Sequence, residues 1–434
     1  MARIVFSTWG SLGDLHPYLA LAVELTRRGH RAVVATLPSW REAVEQAGVR
    51  FHPVGPDIPQ DEDEARELVR RVLDARDGPR YLFENVLGPA TRESYDALLA
   101  GVEADGGADL LVTHLIPLTG PLVAETTGIR WVSALVQPLG LLSAYDPPTP
   151  PQAPWLRSVL TLHPSIARAM FGIVRLATRQ WVRPTERFRA ELGLPPGSNP
   201  VFEGQHSPRL ALALFSKLLG ERQPDFPPQT LVTGFPFYDA AAERPVAPEL
   251  LEFLDAGDPP VLFTLGSSAV WIAGDFYRAS IDAITRIGRR ALLLAGDDTE
   301  RLIAEGLPPG VAAFGYAPHS LVMPRAAVNV HQGGVGTTGQ ALRAGRPALV
   351  VPFGQDQPDN ARRSVRLGMA RTLSRHAYTP ERVARELSAL MDDPRYAGRA
   401  REVGAIVGAE RGTDTACDAI ERVLAEPVPP RAHR

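Results

Sequence analysis

The 434-residue sequence is poor in cysteine, lacks a long apolar run and has no large excess of either charge. Its single cysteine, Cys417, excludes an internal disulfide framework and a cysteine metal cluster, and it fits a reducing compartment. The 46 basic and 49 acidic residues leave a net charge of −3, so there is no electrostatic basis for binding nucleic acid. A membrane-spanning helix needs about 18 consecutive apolar residues, and the sequence contains no such run.

The N-terminal residues 1–6 lead directly into an apolar strand and do not have the layout of a signal peptide. We therefore expect a cytoplasmic protein without a transmembrane segment. The composition, rich in arginine, alanine and proline, is typical of bacteria with GC-rich genomes. The length predicts two domains, each large enough to bury its own core.

Short apolar runs alternate with helical segments along the chain, which predicts the α/β class with doubly wound parallel sheets. We assign residues 1–235 to a first domain and 236–260 to a linker. Residues 261–411 form the expected second domain, and 412–434 a last helix with a loose tail. Other predictions are a loop over 9–16, a helix beginning at Pro17, one helix over 79–102, a last strand of the first sheet over 210–215, and a polar loop over 353–360.

Two patterns suggest a dinucleotide-binding motif and a metal site, but neither matches in detail. The segment Gly10-Ser-Leu-Gly13 lacks the Gly-x-Gly-x-x-Gly spacing, and the second strand ends in Thr36 rather than an acid, which argues against a dinucleotide-binding oxidoreductase. The acidic triplet Asp61-Glu-Asp63 superficially resembles a metal-binding site. It precedes a predicted helix, however, where acidic residues stabilise the N-terminus.

The stretch from Asn329 to Ala361 is the most informative part of the chain. A buried strand is followed by the glycine-rich turn His331-Gln-Gly-Gly-Val-Gly336 and then by a helix that ends at Gly345. The first amides of a helix have no partner within it and carry partial positive charge, so this turn predicts a diphosphate site over Gly333–Thr338. The alternative is a turn whose glycines serve packing alone.

This stretch resembles the donor-binding signature of the UDP-glycosyltransferase superfamily. The family motif runs His-x-Gly-Gly-x-Gly-Thr, then Ala-Gly-x-Pro, then Pro-x-x-x-Asp-Gln-x-x-Asn-Ala. The chain has HQGGVGT at His331–Thr337, AGRP at Ala344–Pro347 and PFGQDQPDNA at Pro352–Ala361. The resemblance implies the GT-B fold, in which two Rossmann-like domains face each other across a cleft and the last helix crosses back to the first domain.

Further donor contacts follow from the resemblance and from the strand ends. The serines of Gly266-Ser-Ser268 end a neighbouring strand and are expected to face the diphosphate, unless they only cap the loop. By resemblance, Tyr316 stacks on the nucleobase, and Asp356 and Gln357 hold the sugar hydroxyls. Family members often place an acid at the position of Gly339 or Gln340 to hold the ribose; this chain has none there, and Gln340 is the candidate for a neutral substitute. The expected donor-binding residues are Gly13, Ser267, Ser268, Tyr316, Ala317, His319, His331, Gly333, Gly334, Val335, Gly336, Thr337, Thr338, Asp356 and Gln357.

The catalytic base is expected in Gly13-Asp-Leu-His-Pro17, which resembles the family's Gly-His-x-x-Pro or Gly-Asp-x-x-Pro loop. Asp14 occupies the position of the base, with His16 as the alternative, and either residue has a plain structural role available, Asp14 as a helix cap. An ordinary carboxylate is a weak base for an alcohol, so Asp14 needs a raised pKa or must act as the donor bond breaks. His114 lies at the end of a predicted strand, where it assists Asp14 or belongs to the core.

These residues predict an inverting glycosyltransferase that moves a hexose from a UDP- or TDP-sugar to a hydroxyl of an apolar small molecule, of flavonoid, macrolide, sterol or hydroxy-fatty-acid type. No dense metal-ligand spacing appears, so neither a metal nor another cofactor is expected. The alternatives are a nucleotide-sugar epimerase or hydrolase on the same fold, and a non-catalytic nucleotide-sugar-binding partner. The apolar, arginine-containing segment 155–181 predicts two packed helices, an acceptor wall or a weak membrane-surface contact. The expected acceptor-binding residues are Leu118, Val136, Trp155, Met170 and Phe171.

Overall fold

The computed structural model describes residues 1–59, 61–239 and 246–427. Within these ranges the strands form two sheets, and every strand pair is parallel. The predicted α/β class with two doubly wound parallel sheets is confirmed. The strands are β1 (Arg3–Ser7), β2 (Arg31–Thr36), β3 (Arg50–Pro53), β4 (Leu110–His114), β5 (Trp131–Leu135), β6 (Ala211–Ala213), β7 (Thr230–Val232), β8 (Val261–Thr264), β9 (Ala291–Leu294), β10 (Val311–Phe314), β11 (Val328–His331), β12 (Ala348–Val350) and β13 (Ala370–Thr372).

The strand order is β3-β2-β1-β4-β5-β6-β7 in the first sheet and β10-β9-β8-β11-β12-β13 in the second. Helices cover both sheets, as a parallel sheet requires. The helices are α1 (Leu12–Arg27), α2 (Arg41–Gln46), α3 (Glu62–Val72), α4 (Gly78–Tyr81), α5 (Thr91–Glu103), α6 (Gly120–Thr127), α7 (Leu156–Leu160), α8 (Pro164–Ala177), α9 (Arg183–Glu191), α10 (Pro248–Asp255), α11 (Gly266–Ala269), α12 (Phe276–Ile287), α13 (Thr299–Glu305), α14 (His319–Val322), α15 (Val335–Ala344), α16 (Gln357–Arg366), α17 (Pro380–Asp392), α18 (Pro394–Ala409) and α19 (Gly412–Ala425).

The central strands are buried on both faces. All five residues of β1 are buried, and so are all four of β8 and of β11. This burial explains why β1 and β8 contain runs of three consecutive apolar residues rather than an alternating pattern. The strand order places β1 next to β4 and β8 next to β11, so the loops that follow these strands lie at the carboxyl edges of the two sheets.

The first helix begins earlier than the sequence predicts. We expected a loop as far as His16, but α1 starts at Leu12, with Ser11 as its N-cap. The Ser11 backbone N–H donates to Asp14 Oδ2 at 2.8 Å, and the Gly13 N–H donates to Ser11 Oγ at 3.2 Å. This reciprocal capping box satisfies amides that a helix otherwise leaves unpaired, and it places Asp14 and His16 on a helix rather than in a loop.

Four other element predictions are corrected. The helix expected over 79–102 is divided into α4, a π-helical turn at Leu82–Leu87 and α5, where Gly88 and Pro89 interrupt the ladder. The strand expected to end the first sheet, β6, is followed by β7 at the edge. The loop expected over 353–360 ends at Gln357, where α16 begins. The three-residue strand β13 was not predicted, because so short a run carries little pattern.

The last helix packs against the first domain. Cys417 on α19 is buried, with its Sγ 3.8 Å from the Leu21 carbonyl oxygen on α1. Arg28, at the end of α1, bonds Asp418 at 2.5 Å and Glu421 at 2.8 Å. Helix α19 therefore fastens the end of the chain to the first sheet's helical layer.

Parts of the linker and tail predictions fall outside the description. Residues 240–245 of the predicted linker and 428–434 of the predicted tail lie outside the described residues. Among the helices that are described, none is both long and apolar enough to cross a membrane.

Candidate active site

A cavity of about 340 Å³ lies between the two sheets. Its walls include the start of α1, the residues after β8 and β9, and the start of α15. Of the predicted site residues, eight line this cavity: Gly13, His16, Ser267, Tyr316, Ala317, His319, Gly336 and Thr337.

The starts of α1 and α15 meet at this cavity. A Cβ added to Gly336 would lie 3.0 Å from the Gly13 Cα, so the two backbones touch where neither residue carries a side chain. Gly333, with a φ of 90°, sits in the turn before α15, and a Cβ there would lie 2.8 Å from Val350 Cγ1. The first amides of α1 are paired in its capping box, so the unpaired amides come from the start of α15, while both helix starts direct partial positive charge toward one place, which suits a diphosphate.

Hydroxyls near the start of α15 differ in their accessibility. Thr337 lines the cavity, and its hydroxyl accepts a 3.4 Å contact from Gln332 Nε2. Thr338 is 1% exposed, and its hydroxyl has no hydrogen-bond partner among the described residues. Thr337 is therefore the better placed of the two to meet a ligand in the cavity. Gly334 and Val335 contribute backbone to the turn.

His331 is the last residue of β11, and its ring orientation is fixed by the turn that follows. The Gly333 backbone N–H donates to His331 Nδ1 at 3.1 Å, so the proton of the neutral ring lies on Nε2. Burial, with a smaller contribution from His319, lowers the pKa of His331 to about 3. In the part of the chain that the structure describes, Nε2 has no hydrogen-bond partner. The Nε2–H group of the neutral ring is thus left as a hydrogen-bond donor for a ligand.

Asp14 lies in the first turn of α1 and faces the first sheet. Its Oδ2 accepts the two Ser11 bonds of the capping box, and its Oδ1 lies 3.9 Å from His114 Nε2. His114 ends β4 and is 2% exposed, with its Nδ1 3.4 Å from the Thr8 hydroxyl. Burial raises the pKa of Asp14, while His114 and the Ser11 bonds oppose that rise. The geometry brings Asp14 and His114 together, a pairing that the sequence left open beside a plain core role for His114.

His16 faces a different direction. Two residues along a helix turn the side chain by about 200°, so His16 and Asp14 lie on opposite faces of α1. His16 lines the cavity, and its ring centroid is 5.5 Å from that of Tyr238. It shares the cavity with His319, whose pKa is lowered to about 4 by burial and then by His16.

Asp356 and Gln357 begin α16 and have different partners. The carboxylate of Asp356 does not cap α16; it accepts a 2.6 Å bond from Asn360 Nδ2, which also donates to the Gly333 carbonyl. Gln357 Oε1 accepts the backbone N–H groups of Phe353 and Gly354, so Gln357 closes the preceding loop. Burial, and after it the charge of Asp14, raise the pKa of Asp356 to about 7. The two carboxyl groups are therefore electrostatic neighbours across the cleft.

We expect Asp356→Asn to stabilise the protein at pH 8. The folded-state pKa of Asp356, about 7, lies above its ordinary value of 3.8, so the native chain holds this proton more tightly than the unfolded chain. The free energy of unfolding therefore falls as pH rises from about 4 to about 7, and the loss is complete above that range. The amide removes this cost, and Tm at pH 8 should rise by about 2–4 °C for each kcal/mol recovered.

The measurement is thermal unfolding of both proteins from pH 4 to pH 8. The advantage of the variant should shrink toward pH 4, where the wild-type carboxyl is also neutral. Asp282→Asn, on the exposed face of α12, is the control for the loss of one negative charge and should show little change. A constant difference between Asp356→Asn and wild type at every pH would contradict the raised pKa.

Most of the remaining residues predicted to bind the sugar donor line the same cavity. Ser267, in the short helix α11, lines it, whereas Ser268 is not among the lining residues. Tyr316 lines the cavity at the position that the sequence predicts for the nucleobase, and the residue is 53% exposed; Ala317 and His319 follow it. Stacking on a base, as on other aromatic faces, requires this kind of exposed ring surface.

The predicted acceptor residues do not line the cavity. Leu118 lines a separate space of about 40 Å³, and Val136 is 2% exposed in the core. Met170 and Phe171 pack into a small cluster with Ala167, while Trp155 is 70% exposed. The segment 155–181 forms α7 and α8 in agreement with the packed-helix interpretation, and the acceptor roles stay predictions.

Sequence reasoning missed part of the cavity wall. The segment after β7, from Phe235 to Asp239, contributes Phe235, Phe237, Tyr238 and Asp239, and the segment after β9 contributes Asp297. We assigned 236–260 to a linker on its prolines and glycine. The cluster of three aromatic residues in Gly234-Phe-Pro-Phe-Tyr-Asp239 was the available signal, because exposed linkers seldom concentrate large apolar rings.

Known proteins and protein families are similar in sequence to this chain. A sequence model of the glycosyltransferase family 28 N-terminal domain matches residues 4–90, and the erythromycin biosynthesis protein CIII-like C-terminal domain matches residues 280–416. The chain is 35% identical over 427 residues to O-mycaminosyltylonolide 6-deoxyallosyltransferase of Streptomyces fradiae, covering 96% of this chain and 97% of that protein. It is 31% identical to vancomycin aglycone glucosyltransferase of Amycolatopsis orientalis, covering 85% of this chain and 84% of the relative.

Solved structures share the fold. The glycotransferase of kitacinnamycin superposes with a TM-score of 0.72 at 22% identity, over 98% of this chain and 99% of the other. Streptomyces sp. SF2575 glycosyltransferase SsfS6, complexed with thymidine diphosphate, gives 0.63 at 21% identity, over 97% and 100%. The structural likeness establishes the architecture, and the 35% identity over nearly the full length establishes the kinship. The chain is thus a glycosyltransferase and belongs to the UDP-glycosyltransferase superfamily with the GT-B fold.

Proposed function

We propose that this glycosyltransferase moves a hexose, with inversion and without a metal, from a UDP- or TDP-sugar to a hydroxyl of an apolar small molecule. The observation that carries the proposal is the meeting of two helix N-termini beside His331, whose Nε2–H has no partner among the described residues, with the carboxyl pair Asp14 and Asp356 nearby. Such an arrangement supplies donors for a departing diphosphate and a base near the transferred sugar.

The expected reaction is a single displacement. Asp14 takes the proton of the acceptor hydroxyl while the acceptor oxygen bonds to the anomeric carbon of the sugar. The bond between that carbon and the diphosphate oxygen breaks at the same time, on the opposite face, and this inverts the configuration. The diphosphate leaves with its charge stabilised by the amides of α15, the Thr337 hydroxyl and His331.

Asp14 is better suited than His16 to be the base. A base must lie across the sugar from the leaving group, and Asp14 faces His114 and Asp356 rather than the cavity wall that holds Tyr316 and His319. Burial also raises its pKa, which improves a carboxylate as a proton acceptor at neutral pH. His114 then acts as a positioning residue for the carboxylate.

The proposed nucleotide of the donor and the proposed acceptor class rest on the similar proteins and on the apolar surface of the first domain. A structural neighbour binds thymidine diphosphate, and relatives act on a macrolide and on an aglycone of vancomycin. An apolar acceptor also agrees with the exposed apolar side chains of the α7–α8 segment, such as Leu162 between the helices and Ile173 and Leu176 on α8. A weak contact of this surface with a membrane is compatible with its arginines.

A mass-spectrometric screen of several UDP- and TDP-sugars against a mixed acceptor panel tests the proposal. We expect one new glycoside, formed with an inverted anomeric configuration, with apolar alcohols preferred to free sugars. Donor turnover without any acceptor would instead indicate an epimerase or hydrolase. Donor binding without turnover across the panel would favour a non-catalytic partner.

We expect activity to survive exhaustive treatment with EDTA. The diphosphate has helix amides, a hydroxyl and His331 as partners, and no group of three His, Cys, Asp or Glu side chains within residues 1–59, 61–239 and 246–427 is arranged to hold a metal. Turnover is measured before and after EDTA, with added Mg²⁺ or Mn²⁺ as the control. A collapse in EDTA that either ion restores would overturn the metal-free mechanism.

A further inference from the structure

Asp239 is the acid of the segment that joins the two domains, and it lies in the wall of the large cavity. It comes seven residues after the end of β7 and shares the lining with Gly336 and Thr337 of α15 and with Tyr316. Its side chain is 41% exposed, so oxygen surface remains available on the cavity side. Neither the donor motif nor the proposed mechanism uses this residue.

Its carboxylate is held in one orientation by residues of α15. Arg343 Nη1 donates to Asp239 Oδ2 at 2.8 Å, and Arg343 Nη2 donates to Oδ1 at 2.6 Å. Gln340 Nε2 lies 3.4 Å from Oδ1. The guanidinium of Arg343 is in turn fixed 4.0 Å over the ring of Phe237. A forked pair of this kind sets both the position and the plane of a carboxylate.

The pair also keeps the carboxylate charged. Burial opposes ionisation of Asp239, but the contacts with Arg343, followed by those with Gln340 and Ser320, outweigh burial and lower the pKa of Asp239. The hydrogen bonds to this carboxylate are two from Arg343 and one from Gln340, so one of its four lone-pair positions is left for another donor. The expected ligand group is therefore a hydrogen-bond donor without charge of its own.

The position along α15 identifies that donor. Gln340, the neighbour of Asp239, lies four residues beyond Gly336, which is about 6 Å along the helix axis from the proposed diphosphate site. Tyr316, on whose ring the nucleobase is proposed to stack, lies on another wall of the same cavity. The part of a nucleotide between its diphosphate and its base is the ribose, whose uncharged donors are hydroxyls.

We propose that Asp239 accepts a hydrogen bond from a ribose hydroxyl of the donor nucleotide and so contributes to nucleotide choice, an inference that rests on the proposed nucleotide-sugar donor. The sequence left this position without an acid, since Gly339 packs against Phe235 and Gln340 is uncharged. A Cβ on Gly339 would lie 3.0 Å from the Phe235 ring, which leaves no room for a larger side chain there. The tertiary fold supplies the acid from the interdomain segment instead.

Calorimetric binding to the full chain compares UDP with 2′,3′-dideoxy-UDP, and TDP with 3′-deoxy-TDP. We expect wild type to bind the hydroxyl-bearing nucleotide about tenfold or more tightly, as for a hydrogen bond to a charged group. In Asp239→Ala, that ratio should fall below about twofold. Asp297→Ala removes another acid from the same cavity and is the matched control for charge; its ratio should stay as in wild type. The 2′-deoxy and 3′-deoxy forms of UDP then identify which hydroxyl is bound.

A ratio that is unchanged in Asp239→Ala overturns the role of Asp239, even if all affinities fall together, because a residue that only anchors Arg343 would weaken every nucleotide equally. Asp239→Asn, which keeps the size of the side chain, applies the same criterion if the alanine variant does not fold. Failure of wild type to bind any of these nucleotides overturns the proposed donor class itself, and so differs from a failure confined to Asp239.

Discussion

Asp14→Asn is expected to lower turnover by about 10²–10⁴, the usual contribution of a positioned general base. The amide oxygen can still accept the Ser11 bonds that begin α1, so the helix start should persist. What the variant loses is the ability to take a proton. Affinity for UDP or TDP should change by less than about twofold, because Asp14 does not line the cavity in which we propose that the nucleotide binds.

The pH dependence adds a second readout. In wild type, kcat/KM should rise with pH through the pKa of Asp14, which burial holds above its ordinary value, because only the ionised carboxylate can accept the proton. This limb should disappear in Asp14→Asn. Ser11→Ala keeps the carboxylate but removes the hydroxyl of the capping box, so it controls for the helix start and should cost about 1 kcal/mol of stability with a far smaller loss of turnover.

Near wild-type turnover in Asp14→Asn, together with a large loss in His16→Ala, would transfer the role of base to His16. A loss in both variants would mean that the cavity face of α1 contributes to the reaction as well. Measuring single-turnover rates with saturating donor separates the chemical step from product release in each case.

His331→Ala is expected to weaken binding of UDP or TDP by about 10- to 150-fold, the equivalent of a hydrogen bond to a charged group worth about 1.5–3 kcal/mol. The reason is the loss of the Nε2–H donor, which the Gly333 bond to Nδ1 holds in the neutral ring. Calorimetry with the nucleotide alone is the measurement, since the proposed contact of His331 is with the diphosphate rather than the sugar.

Two further variants distinguish the loss of the Nε2–H hydrogen-bond donor from a disturbance of the glycine turn. His331→Asn can keep an oxygen where Nδ1 accepts the Gly333 N–H, yet it has no group at the position of Nε2, so it should bind nucleotide as weakly as the alanine variant. His331→Gln places an amide N–H near Nε2 and should recover part of the affinity. Wild-type affinity in His331→Asn would show that the ring acts only by shaping the glycine turn.

Local patterns determined much of the fold. Apolar runs such as those at Val261–Thr264 and Ala291–Leu294 correspond to inner strands of the second sheet. A parallel sheet is covered on both faces, so its strands need no alternation of apolar and polar residues. The glycine turn after His331 also followed from sequence, since a helix start exposes amides whatever surrounds it. Errors fell at element ends, as at α1, where Ser11 and Asp14 formed a capping box that a helix beginning at Pro17 does not use.

The sequence by itself determined the α/β class, the two-sheet organisation and the donor motif, because these depend on periodicity and on contiguous residues. Only the tertiary structure decided that Asp14 lies beside His114, that Gly13 touches Gly336, and that Asp239 lies beside Gln340. These pairs are separated by about 100 residues or more in the chain, and no local pattern encodes which strand order or helix face will bring them together. Their proximity arises from tertiary packing, within the first domain for Asp14 and His114 and between the two sheets for Gly13 and Gly336. The burial of apolar surface sets this arrangement, and the polar groups of the site are positioned as a consequence.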